Sequence, residues 1–195
     1  AYGFTNEVTE KALLELAGAV ADAVNGKNFE QTISLREVPP HLQLKIKKSP
    51  ADFSLVQKRD FISRADAVAW SADPRVKQVK VLFSDISKKF SVANSHGELV
   101  HDSRIYTLFF VQVVAQKNGL LQTGYHPIGG VIGLELFDET PPEEVAKKAV
   151  GQALQMLEAK KPPAGTMPVV ISSEAGGTMI HEAVGHGLEA DLASQ

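Results

Sequence analysis

The sequence predicts an α+β fold: an antiparallel sheet packed with helices, followed by the first strand and motif helix of a second domain. Three observations carry this expectation. Apolar residues recur at helical spacing in three separated segments, they alternate at period two through a long middle stretch, and an Asn-Gly pair separates two of the alternating runs. With 195 residues, 44% of them hydrophobic and 22% charged, the chain is long enough to bury an ample core.

The first helical segment runs from Glu10 to Asn25, where Leu13, Leu16, Val20 and Val24 share a face. Thr9 stands as its N-cap and Gly26 just past its end, so it reads as a surface helix packed on one side. The period then changes. Ile33 and Leu35, and after Pro39-Pro40 also Leu42, Leu44 and Ile46, alternate with polar residues and suggest extended segments, with Lys45 to Lys48 as an exposed strand edge. Helical spacing returns from Ser54 to Ala72, with Val56, Ile62, Ala65, Val68 and Ala69 on one face, and Asp73-Pro74 stops it. Trp70 on this helix reads as core or interface.

The middle reads as strands. Val79, Val81 and Phe83 alternate, as do Phe90 and Val92, before the turn Asn94-Ser95-His96-Gly97. Tyr106 to Gln116 and Leu120 to Tyr125 flank Lys117-Asn118-Gly119, a strong hairpin signal. A glycine-rich loop from Gly124 to Gly133 follows. Thr140-Pro141-Pro142-Glu143 then opens a third helix, with Thr140 as N-cap, a proline in the first turn and Glu143 placed for a capping box. Val145, Ala149, Ala153, Leu154 and Leu157 make its buried stripe. Lys160 to Gly165 is the sharpest break in composition, giving two expected domains, 1–161 and 162–195; Met167 to Ser172 reads as the opening strand of the second.

Charge and composition exclude several functions. A net charge of -3, with Lys45-Ile46-Lys47-Lys48 as the one basic cluster, argues against nucleic acid, which demands a basic stripe. No apolar run approaches the length of a membrane span, and the first residues lack the order of a signal peptide, so a soluble chain is expected. The absence of cysteine removes disulfides, thiolate ligands and a cysteine nucleophile from this chain.

The dense chemistry lies in Ser173 to Asp191, which contains His181-Glu182-Ala183-Val184-Gly185-His186. Two imidazoles offer nitrogen ligands to zinc, and the adjacent carboxylate can take a proton from an attacking water. The spacing is one residue longer than that of the common zinc-protease helix. Residues five apart on a regular α-helix are offset by about 140°, so the two rings share a metal only if the helix bulges or breaks between Ala183 and Gly187. The alternative is a helix whose histidines cap its last turn and whose glutamate is solvated. His96, His101 and His126 read as solvated loop histidines. Glu189 and Asp191 are weighed as third ligands against solvated or capping roles.

The run His181 to Asp191 resembles the signature of the TldD/PmbA family of metallopeptidases, also called modulators of DNA gyrase, and is closer to its TldD branch. Tyr2-Gly3-Phe4-Thr5-Asn6, Val92 to Gly97, Thr123-Gly124-Tyr125 and Pro162 to Val170 resemble family stretches in the same order, and Ile180 stands where an aliphatic residue precedes the His-Glu pair. The resemblance implies a cytoplasmic zinc peptidase that degrades or matures peptides and small unfolded proteins. It implies His181 and His186 as Zn2+ ligands, Glu182 as general base, and a homodimer or a heterodimer with a PmbA/TldE-like subunit. It also implies a third ligand, a cysteine, in a C-terminal β-rich domain. Because this chain has no cysteine and family members are more than twice as long, it is expected to be a fragment, inactive by itself. The alternative function is a non-catalytic peptide-docking or dimerisation module of a two-component protease, its strand edges pairing with extended peptides.

Overall fold

The computed structural model describes residues 1–24, 33–42 and 44–194. They fall into two compact units, 1–158 and 159–195.

In the first unit, helix α1 (Glu10–Ala23) starts at Thr9, whose hydroxyl accepts from Ala12 N–H at 3.3 Å. Its apolar stripe meets the Gly3 backbone at Leu16 and Val20, yet none of its residues is buried and Leu13 is half exposed. The expected continuation to Asn25 and the stop at Gly26 lie outside the described residues. Of the extended segments expected before residue 48, a two-residue strand forms, β1 (Arg36–Glu37). Helix α2 (Leu55–Ala72) is fixed at its start by a reciprocal capping box. Ser54 Oγ accepts from Gln57 N–H and Gln57 Oε1 accepts from Ser54 N–H. Ala65 and Ala69 are buried, whereas Val56, expected on the packed side, is exposed, and Trp70, read as core or interface, is half exposed and outside the core.

The centre is a meander of β2 (Val76–Ala93), β3 (Glu98–Lys117) and β4 (Leu120–Gly130). β3 is its spine: β2 runs antiparallel along one edge, and the other edge is shared by β1, parallel at Glu98–Leu99, and β4, antiparallel from Thr107. The Asn118-Gly119 turn has positive φ at both central residues, 51° and 83°, the geometry that a two-residue hairpin with native twist requires. β2 is one strand where two are expected, and the supposed glycine-rich loop belongs to β4 as far as Gly130. His126 there lies in a ladder opposite Val111, not in a loop.

Thr107, Phe109, Val111, Val113 and Ala115 alternate along β3 toward one face and are almost wholly buried. That face is covered by α2 and by α4 (Pro142–Leu157), which contributes Val145, Ala146, Ala149, Val150, Ala153 and Leu157. α4 approaches so closely that a Cβ on Gly124 would overlap the Ala149 carbonyl oxygen and lie 2.5 Å from Ala153 N. Arg64 joins α2 to α4 through two hydrogen bonds to Glu143, at 2.6 and 2.9 Å. The expected Thr140 cap is absent. Pro141 holds the N-cap position with no side-chain bond, while Thr140 ends the short helix α3 (Leu136–Glu139) and Glu143 turns to Arg64.

α3 places Phe137 in an aromatic cluster, stacked on Phe61 at 4.3 Å and edge-on to Phe109 at 5.2 Å. Beside it, Glu135 is buried. Burial pushes its carboxyl pKa up, but backbone N–H groups of Lys47, Glu135 itself, Lys48 and Gly133 outweigh that and hold it below the usual range. The Lys45 to Lys48 segment is therefore a loop clamped by a carboxylate rather than a strand edge.

In the second unit, the strand expected over Met167 to Ser172 does not form. A strand exists through its ladder, and no described segment pairs with this one. The chain becomes regular at α5 (Ser173–Ile180). No helix among the described residues is long and apolar enough to cross a membrane.

Candidate metal centre

α5 continues without a break in dihedral angles into the motif. His181 N–H still donates to Gly177 and Thr178 carbonyls, but His186 N–H donates to the His181 carbonyl, five residues back. His181 to Gly185 thus form a π turn, while φ and ψ at Ile180, His181, Gly185 and His186 all stay in the right-handed helical region. In an α-helix the i to i+4 bond stacks residues four apart; here the wider bond stacks residues five apart. The irregularity that the spacing demands is present, and it begins at the first histidine.

The consequence is geometric convergence. The His181 and His186 ring centroids are 4.6 Å apart with planes at 65°, and ligand atoms of His181, Glu182 and His186 all lie within 4.8 Å of one another. His186 Nε2 is 3.5 Å from Glu182 Oε2. Gly185 leaves room for this approach, since a Cβ there would sit 3.2 Å from His181 Nδ1. A three-residue 3-10 turn, His186–Leu188, then brings Glu189 beneath His186, with Glu189 Oε1 2.6 Å from Nδ1. All three motif side chains are exposed.

Among the described residues this is the one group of three histidines or carboxylates close enough to hold a metal ion, and Glu189 and Asp191 are outside it. The residues fit zinc: the two imidazoles are nitrogen ligands that zinc accepts, a carboxylate stands beside them within reach of a metal-bound water, and the outer nitrogen of His186 already rests on another carboxylate. The other histidines have different surroundings. His101 Nδ1 is 2.7 Å from Ser91 Oγ and its Nε2 is 3.7 Å from Glu37, on the β2–β3 hairpin. The Glu189 contact is what motif reading missed; its signal is a carboxylate three residues after a ligand-type histidine.

A family model for the PmbA/TldA metallopeptidase central domain matches residues 48–157. The chain belongs to the PmbA/TldD metallopeptidase family. That match covers the meander with α2 and α4, and the His-Glu motif lies beyond it. A metalloprotease TldD homolog of Haemophilus influenzae is 35% identical over 141 residues, covering 70% of this chain and 29% of that protein. A metalloprotease of Methanothermobacter thermautotrophicus is 32% identical over 148 residues, covering 76% of this chain and 32% of that protein. The chain thus spans about a third of the length of the curated relatives it matches. In fold, it is similar to the crystal structure of a candidate modulator of a DNA gyrase from Thermotoga maritima, with a TM-score of 0.62 at 20% identity, over 83% of this chain and 36% of that one. As a PmbA/TldD metallopeptidase chain, it comes from a family whose peptidase chemistry uses a metal ion.

Proposed function

We propose that the intact protein is a zinc-dependent peptidase that degrades or matures peptides and small unfolded proteins, in which His181 and His186 are two metal ligands and Glu182 is the general base. The observation that carries this reading is the π turn, which stacks two histidines five apart and leaves Glu182 beside them. When bound, zinc supplies Lewis acidity, lowering the pKa of a water it holds to roughly 7.

The residues of the chain supply the rest. The imidazoles offer lone pairs from adjacent turns of one helical segment, so backbone hydrogen bonds fix their separation. The Glu182 carboxylate removes a proton from the attacking water and delivers it to the nitrogen of the departing amine. In this proposal the third ligand is the cysteine that the resemblance assigns to a further domain, and the protein works in the cytoplasm as a homodimer or with a PmbA/TldE-like subunit.

Glu182→Gln in the intact protein keeps the side-chain shape and removes the base. Peptide cleavage falls by at least 10²-fold, the low end for a general base, while zinc content stays at the wild-type level. Undiminished turnover in that variant would sink the assigned role, and loss of zinc would make Glu182 a ligand.

A further inference from the structure

The contact between Glu189 and His186 follows from backbone geometry. The 3-10 turn ends at Glu189, where φ -65° and ψ 145° leave the helical region. Its N–H donates to the His186 carbonyl at 3.4 Å, and its carbonyl accepts from Leu192 N–H at 3.0 Å and Ala193 N–H at 2.8 Å. Held on both sides, Glu189 projects its carboxylate to His186 Nδ1 at 2.6 Å. The other nitrogen of the same ring, Nε2, is 3.5 Å from Glu182 Oε2. One imidazole is suspended between an outer and an inner carboxylate.

A neutral imidazole has one N–H and one lone pair. An ionised carboxylate only accepts, and of the two carboxylates Glu189 at 2.6 Å is within close hydrogen-bond reach while Glu182 stands back at 3.5 Å, so the ring's single N–H goes to Glu189 from Nδ1 and Nε2 keeps the lone pair. We infer that Glu189 is a positioning residue that selects the Nδ1–H tautomer of His186 and makes Nε2 its metal-donor atom. This rests on the metal-centre reading above. The contact gives Glu189 a role distinct from that of a third ligand, since its oxygen is engaged at the nitrogen that faces away from the cluster. Carboxylates that accept from the outer nitrogen of a ligand histidine orient the ring and raise its basicity.

The test uses the intact protein, stripped of metal and titrated with Zn2+ against a chromophoric chelator. Glu189→Ala is expected to weaken zinc binding by about 10- to 100-fold. Glu189→Gln, whose amide oxygen still accepts from Nδ1–H, recovers part of that loss. The side chain is exposed, so the circular dichroism of both variants matches wild type. With Co2+ in place of zinc, the ligand-field bands of Glu189→Ala keep the wild-type pattern. A changed pattern would make Glu189 a ligand and overturn the proposal, as would unaltered zinc affinity in Glu189→Ala.

A second readout needs no metal. Long-range proton–nitrogen correlations on the metal-free protein at roughly pH 8, above the ordinary histidine range, report the tautomer. Wild type shows Nδ1–H at His186, and this preference is lost in Glu189→Ala; an Nε2–H tautomer in wild type overturns the inference. If wild type binds no zinc while His186 remains in the Nδ1–H form, the zinc reading fails and the tautomer selection stands.

Discussion

Residues 1–158 surround Phe109, Val111 and Val113 with side chains from two long helices and the neighbouring strands, whereas residues 159–195 bury none of their described side chains. In the first region a side chain is placed by what packs against it from distant parts of the sequence. In the second, His181, Glu182 and His186 are brought together by hydrogen bonds that span no more than five residues. The family model matches within the packed region, over 48–157, whereas the candidate metal centre lies in the locally built one. The residues that build the core and those that build the candidate metal centre are thus different sets.

Three substitutions probe that separation. The largest effect belongs to Phe137→Ala, which empties the aromatic cluster with Phe61 and Phe109. It is expected to cost about 3–5 kcal/mol in denaturant unfolding, while the folded fraction keeps its zinc affinity. A parallel loss of affinity would show that the two regions are coupled.

Next comes Gly124→Ala. The added methyl meets α4 backbone at Ala149 and Ala153, which cannot swing aside as a side chain would, so a loss of about 1–3 kcal/mol or more is expected. A melting temperature equal to wild type would mean that α4 lifts off the sheet without cost.

The smallest effect on stability is expected from Gly185→Ala, the same chemical change in the other region. Here the added Cβ meets the His181 ring at 3.2 Å, and an exposed ring can yield. Unfolding is expected to change by no more than about 1 kcal/mol, because alanine favours helical backbone. Displacing the ring should lower zinc affinity by less than about tenfold, below the effect expected for Glu189→Ala. Gly185→Ala that unfolds the protein, or Gly124→Ala that spares stability and abolishes zinc binding, would reverse the comparison.

How much of this was legible in the sequence follows the same division. Local signals read well: the Thr9 cap and the Asn118-Gly119 turn act within a few residues, and their structure agrees, while the Ser54–Gln57 capping box, equally local, went unread. The helix irregularity at the motif was legible too, because two zinc-type histidines five apart can share one metal only if the helix bulges or breaks, and the structure realises the bulge, as a π turn over His181–Gly185. What the sequence hid depends on distant partners. β2 read as two strands because Ser84 to Lys89 lacks alternation, and exposed residues there remove the need for it. Glu135 is 88 and 87 residues away in sequence from the Lys47 and Lys48 amides that it binds, with the whole meander between them. Thr140 lost its cap because two prolines admit helical geometry without one, and Glu143 found Arg64 instead. Glu189 was weighed as a ligand, since sequence proximity does not reveal which ring nitrogen a carboxylate will meet.

The meander also dictates an order of events during folding. β2, β3 and β4 are successive in sequence and adjacent in space, so both antiparallel ladders can grow outward from short turns with little loop-closure entropy. The parallel pairing of Arg36–Glu37 with Glu98–Leu99 has no such shortcut, because it must wait for a segment that α2 and all of β2 separate from its partner. The hairpins are therefore expected to protect their amides from hydrogen exchange early in refolding, and the β1 amides last.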